Sequence, residues 1–402
     1  MKRLVPFLLA LFCLFGAAAQ RTPEELKTVI DTQFSEIYDR YESDVAFDSV
    51  LQLTDKYLQE AEEWTREFPS ARNISNAAIW HSFRAQLLLN YLNTNYYRIF
   101  HRTTTENPDM EDPKTWDEAT FKKEILADFY ASLKEKTALT SVPAASYTLL
   151  FQMPEEEECY ASLYDLLAYR FADCLGMNSL LSPDIPLNNE YLFDDFHFIR
   201  ETHDKDAALL ETHPFILLME EISRAHRPDA DLSYQLYNRI VRFDFVYKNC
   251  RLENKDSLYL AALLRLNEES KHASHVVQQL TYSRIANFYH SRGNKSTQCP
   301  DDFITAIQWY EKAIAAAPNT KCGHICADNL AEIRKKECAL TLPLTPFYPE
   351  EQLMQIVTKD CDEVFFAVAK IPKMDYDIPD DKPLDIVHRD ITIFTYFCGG
   401  LL

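Results

Sequence analysis

Apolar side chains recur at alternating gaps of three and four residues along the first part of the chain. One such run extends from Phe47 to Phe68 and another from Ile79 to Tyr91, with Pro69 and Ser70 between them. This spacing places the apolar side chains on one face of an α-helix. We therefore predict two long amphipathic helices that pack through these faces.

Similar helical periods continue to about residue 337. Thr115 to Glu118 match a capping box, in which the first hydroxyl caps a helix. Glu155 to Glu158 predict the first turn of a later helix, with Gly176 as its C-terminal stop. Further periods cover residues 205–225, 229–248, 255–269 and 272–292. Together they predict roughly nine or ten helices paired as antiparallel hairpins.

One predicted hairpin matches the tetratricopeptide pattern of small and aromatic residues. Small residues let two helices approach, aromatic residues fill the crossing, and a proline ends the second helix. The link from His290 to Ile304 is longer than is usual for this pattern. We predict tetratricopeptide-like geometry here and extend it as a hypothesis to the other helices. The residues that carry the match are Tyr282, Ile285, Ala286, Tyr289, Ala306, Tyr310, Ala313 and Pro318.

The pattern changes after Leu340. Met354–Val357, Val364–Ile371 and Ile391–Phe397 are short β-branched and aromatic runs separated by turn residues, which is typical of strands. A complete β-sandwich needs ~100 residues, more than remain. We predict a mainly α fold: an antiparallel helical-hairpin array over residues 20–340, followed by a short, incomplete β segment over residues 341–402.

The first 19 residues have the layout of a signal peptide. Lys2 and Arg3 precede the apolar run Leu4–Phe15, and three alanines follow before Gln20. The alternative is a buried N-terminal helix. The run is too short to span a membrane, and no other segment is a candidate. We therefore expect an exported chain, periplasmic or extracellular, without a membrane span.

The formal net charge is −21 over 402 residues, and removal of Lys2 and Arg3 with the signal makes it −23. Such a charge opposes binding to nucleic acid or to an anionic membrane surface. The whole chain contains only 6 glycines, which disfavours phosphate-binding glycine loops and an all-β fold rich in hairpins. We predict no catalytic residue, no cofactor site and no metal site.

The chain has 10 cysteines, and Cys13 leaves with the predicted signal. Cys299 and Cys322 would flank one helix, so we predict a disulfide between them. The segment from Cys322 to Cys326 has the pattern C-x-x-x-C but lacks the second ligand pair of a zinc site. It also lacks the C-x-x-C spacing of a redox dithiol. We interpret these cysteines as structural, either buried or disulfide-linked.

Several segments, taken in order, resemble the N-terminal region of bacterial alpha-2-macroglobulin-like proteins. They are WHSFRAQLL at 80–88, YYRIFHRT at 96–103, TWDEATF at 115–121, ASLYDLLAYR at 161–170, AAPNT at 316–320 and VTKDCDEVFFAVAKI at 357–371. The last segment resembles the opening of the first macroglobulin-type β-domain of that family. The resemblance implies a protease-trapping envelope protein. The family's thioester motif C-x-E-Q does not occur in this sequence.

We therefore expect a secreted, non-enzymatic scaffold or protein-interaction module, the leading part of an alpha-2-macroglobulin-like protein. Its partner would be a protein, either a protease or another envelope protein. The alternative is a stand-alone surface glycan-binding protein built on helical repeats. That alternative requires an exposed tryptophan, whereas we predict that Trp64, Trp80, Trp116 and Trp309 all pack in the core.

Overall fold

The computed structural model shows a mainly α fold. It describes residues 44–103, 108–147, 159–177, 181, 186–196, 199, 212–226, 231–295, 301–341, 355–359, 364–368 and 394–398. The predicted signal peptide lies outside these ranges. Within the described part of the chain, no helix is long and apolar enough to cross a membrane.

The first helices are long and pack as their apolar faces predict. Helix α1 covers Asp44–Glu67, α2 covers Ala71–Thr94, and the short α3 covers Tyr96–Phe100. Ser70 caps α2, since its side chain accepts a hydrogen bond from the backbone N–H of Asn73 at 3.2 Å. α2 packs against both α1 and the later helix α4, so it lies at the centre of this part of the core.

Helix α4 covers Glu118–Leu133 and is followed by the short α5, Lys136–Thr140. The predicted capping box was misplaced by two residues. Asp117 caps α4 by accepting from the Thr120 backbone N–H at 2.8 Å, whereas Thr115 ends a preceding 3₁₀ turn. A carboxylate and a hydroxyl are both good caps, so local sequence did not decide between them.

Helix α6 covers Leu163–Met177. The predicted first turn at Glu155–Glu158 lies outside the described residues. Before α6, the Ser162 backbone N–H donates to Asp165 Oδ2 at 2.8 Å, which satisfies a donor that the helix itself leaves free. Gly176 is the penultimate residue of α6, close to the predicted stop.

The remaining helices follow one another closely: α7 Pro214–Ala225, α8 Ser233–Asn249, α9 Lys255–Glu269, α10 His275–Lys295, α11 Asp301–Ala316 and α12 Lys321–Arg334. Each packs on the next along the chain. In addition, α8 packs on α10, and α10 packs on α12. From α8 onward, alternate helices therefore form one layer.

Four short strands follow the helices: β1 Glu337–Thr341, β2 Gln355–Lys359, β3 Val364–Val368 and β4 Phe394–Cys398. β1 and β2 are antiparallel, with Ala339 opposite Val357. β3 and β4 form a second antiparallel pair, with Phe366 opposite Tyr396. The first strand begins slightly before the predicted boundary at residue 340, because Cys338 to Leu340 are in β1.

Candidate functional site

The tetratricopeptide-like match falls on the α10–α11 hairpin, which has the most extensive contacts between two helices in the described chain. Tyr282 and Tyr289 are half-buried, and Pro318 is exposed in the turn after α11. The other predicted positions are fully buried, and they bring the two helices together: Ile285, Ala286, Ala306, Tyr310 and Ala313.

A polar network lies inside this hairpin. The Tyr310 hydroxyl donates to Asn287 Oδ1 at 2.6 Å, and it accepts from Asn329 Nδ2 of α12 at 3.3 Å. Gln279 of α10 donates to the carbonyl of Ala313 at 3.0 Å. These bonds pair buried polar groups and fix the register of three helices. Sequence spacing identified the tyrosine but not its amide partners.

Two thiols lie on the face of α12 that packs on α10. Cys326 is fully buried, Cys322 is half-buried, and both are free thiols. The pKa of Cys326 is lowered, chiefly through hydrogen bonding from the neighbouring Cys322 thiol, although burial opposes the shift. The Ser283 hydroxyl of α10 lowers the pKa of Cys326 further. Cys299 lies outside the described residues, so its predicted disulfide with Cys322 stays a prediction.

A cleft of about 260 Å³ opens where the turn after a short 3₁₀ helix, Glu190–Phe193, meets α8 and α9. Its rim is charged. Arg239 contacts Asp195 at 2.7 Å and Glu269 at 2.6 Å, and Arg265 contacts Asp194 at 2.9 Å. Its floor is apolar and consists of Phe193, Phe243, Ala262 and Leu266.

Arg242 is buried behind this floor. Its side chain is fully inaccessible, and its guanidinium lies 4.0 Å from the ring centroid of Phe196 and 5.0 Å from that of Phe243. Nη2 donates to the Asp194 carbonyl, while Nε and Nη1 have no hydrogen-bond partner among the described residues. Burial lowers the pKa of Arg242 to about 9, so the side chain remains charged at neutral pH.

The cleft has few groups capable of catalysis. Its described lining contains no Ser, Cys, His or Lys, and Asp194, Asp195 and Glu269 are each paired with an arginine. Its volume is also below the roughly 300–1,000 Å³ of typical small-molecule sites. Across the described residues, no group of three or more His, Cys, Asp or Glu side chains could hold a metal ion. The cleft is suited to one or two inserted side chains.

The four tryptophans do not share one environment. Trp80 and Trp116 are buried and Trp309 is half-buried, in line with the core prediction. The prediction is wrong for Trp64, which is 51% exposed. It lies 5.8 Å from the ring of Phe68, itself 58% exposed. Trp64 lies near the end of α1 and Phe68 directly follows that helix, and both aromatic rings are open to solvent.

No protein-family model, curated protein or solved structure matches this chain.

Proposed function

We propose that this chain is a non-enzymatic protein-interaction module exported to the periplasm or the extracellular space. In this proposal it is the leading part of an alpha-2-macroglobulin-like envelope protein, and its partner is a protease or another envelope protein. The order of elements supports the proposal, because a helical region precedes short antiparallel strands, as the resemblance implies.

The cleft between α8 and α9 carries the interaction part of the proposal. An apolar floor inside a charged rim is the arrangement of a docking pocket for one apolar anchor side chain of a partner. The rim carries three carboxylates and two guanidinium groups that pair with them, so the contact surface is polar and its net formal charge is small. Arg239 and Arg265 remain able to hydrogen-bond to a partner backbone, because each guanidinium has five donors.

Site-specific crosslinking tests this assignment. A photo-crosslinking amino acid at Arg265, whose side chain is 58% exposed on the rim, should yield one discrete adduct with a protein in the native envelope. Leu264 is the matched control, because it is the neighbouring residue of α9, is 38% exposed and does not line the cleft. Adducts of equal yield at both positions, or at neither, would reject the cleft as the docking site.

A protease assay tests the non-inhibitory part of the proposal. Broad-specificity proteases incubated with the chain should form no covalent complex, because the sequence lacks the thioester motif C-x-E-Q. A protease adduct that survives denaturing electrophoresis would contradict this part.

The exposed pair Trp64 and Phe68 favours a second candidate function, glycan binding, because sugar rings stack on exposed aromatic faces. If the pair binds glycans, Trp64→Ala should abolish retention on an oligosaccharide array with little loss of stability. Tyr97→Ala is the matched control, since Tyr97 is 81% exposed on α3. Absence of retention by the wild-type chain would eliminate this candidate.

A further inference from the structure

Cys322 and Cys326 form a paired thiol site at the start of α12. They are four residues apart on one helix, so their side chains lie on the same face, one turn apart. That face packs on α10, where both cysteines share a small apolar cluster with Ala286. The site is therefore constructed from two helices and does not depend on a single cysteine.

The spacing disfavours a disulfide between these two thiols. Residues four apart on a helix have Cβ atoms about 5–6 Å apart. A relaxed disulfide requires a Cβ separation of about 3.5–4.5 Å. Closing the bond would therefore distort the first turns of α12, which Thr320 caps through the Gly323 backbone N–H at 2.9 Å.

The same spacing suits a metal ion held between the two sulfur atoms. With the metal–sulfur distance of about 2.3 Å known for zinc, a linear sulfur–metal–sulfur unit spans about 4.6 Å. This span is similar to the separation of about 5–6 Å between Cβ atoms one helical turn apart. The described residues offer no group of three or more His, Cys, Asp or Glu here, so we consider an ion that two ligands can hold. Structural zinc, which requires four ligands, does not meet this condition.

We propose that Cys322 and Cys326 bind one Cu(I) ion as a two-coordinate bis-thiolate. Soft thiolate ligands select Cu(I). Two copper–sulfur bonds form, the thiol protons pass to solvent, and the copper remains Cu(I), so no oxidant or reductant is required.

A positively charged side chain lies near the negatively charged copper bis-thiolate complex. The two thiolates and one Cu(I) carry a net charge of −1, and the site lies within the electrostatic range of the Arg284 guanidinium. Arg284 is held in place by Asp244 of α8, whose Oδ2 lies 2.5 Å from Nε. The half-buried Cys322 provides the entry point, and the fully buried Cys326 shields the bound ion from water.

The test is an anaerobic titration of the reduced full chain with Cu(I) against a chromophoric Cu(I) chelator. The titration uses Cys299→Ser, in which the predicted Cys299–Cys322 disulfide cannot form. The expected result is one high-affinity Cu(I) per chain. X-ray absorption should show two sulfur neighbours.

Three further variants test whether Cys322 and Cys326 are the residues that hold the copper ion. Loss of an outer-shell partner alone costs about 10–100-fold in metal affinity, so Cys322→Ser and Cys326→Ser should each lose more than that. Cys250→Ser is the matched control, because Cys250 is a buried free thiol at the end of α8. Helical circular dichroism identifies any variant that fails to fold. Absence of binding by the Cys299→Ser chain, or unchanged affinity in both site variants, would overturn the proposal.

Discussion

Gly323→Ala should lower the free energy of unfolding by about 2 kcal/mol or more. A Cβ atom at Gly323 would lie 2.5 Å from the carbonyl oxygen of Ala317 and 2.8 Å from that of Pro318. Both contacts are with backbone, so no side-chain rotation relieves them. Either α12 moves away from the turn, or the Thr320 cap is lost.

Gly176→Ala is the matched control. Its free energy of unfolding should equal that of the wild type or exceed it slightly. Its Cβ atom would lie 3.6 Å from the Phe245 ring, an ordinary contact. Alanine also loses less backbone entropy than glycine within a helix, a difference of roughly 0.5–1 kcal/mol. Urea unfolding followed by circular dichroism measures both variants. Equal destabilisation at the two positions would show that the close approach of α12 to the turn is not a constraint.

Arg242→Met should stabilise the fold at neutral pH by about 1–4 kcal/mol. In the described part of the chain, the fully buried wild-type guanidinium makes one backbone hydrogen bond and leaves Nε and Nη1 without a partner. Methionine has a similar length and retains contact with Phe196 and Phe243 without the desolvation cost. Arg242→Ala should instead destabilise the fold, because it leaves a cavity behind the cleft.

The advantage of Arg242→Met should depend on pH. The pKa of Arg242 is lowered in the folded state to about 9, so the unfolded chain binds more protons above that pH. The cost of burying the charge is therefore fully present below pH 9 and diminishes as the pH rises. Chemical unfolding of wild type and variant at pH 7 and pH 10 measures this difference. The buried charge would not be the cause if the difference in free energy of unfolding between variant and wild type increased with pH. The same conclusion would follow if the variant were less stable than wild type at pH 7.

The α10–α11 hairpin could be predicted from the sequence because its signal is local. Ala306, Tyr310 and Ala313 recur at helical spacing, and all three are fully buried in the hairpin. Trp64 belongs to a similar spacing but is exposed. Periodicity identifies a helical face, whereas tertiary packing decides which side chains of that face are covered.

The cleft could not be predicted because it combines three separate segments of the chain. Asp194 follows a 3₁₀ turn, Arg239 is on α8 and Arg265 is on α9. Each residue alone has the appearance of an ordinary surface charge. The thiol pair was visible as C-x-x-x-C, yet its polar partner Ser283 lies about forty residues earlier on α10.

The packing of every helix from α8 to α12 on the next, together with that of α8 on α10 and of α10 on α12, has a kinetic consequence. Contacts between segments that are close along the chain require little loop closure, so this part of the molecule should fold rapidly. α12 has no later helix against it in the described chain, and its contacts belong to a small separate cluster that includes Cys326 and Ile333. Amide hydrogens of α12 should therefore exchange with solvent before those of α10, because the terminal helix can detach while the interior ones remain folded.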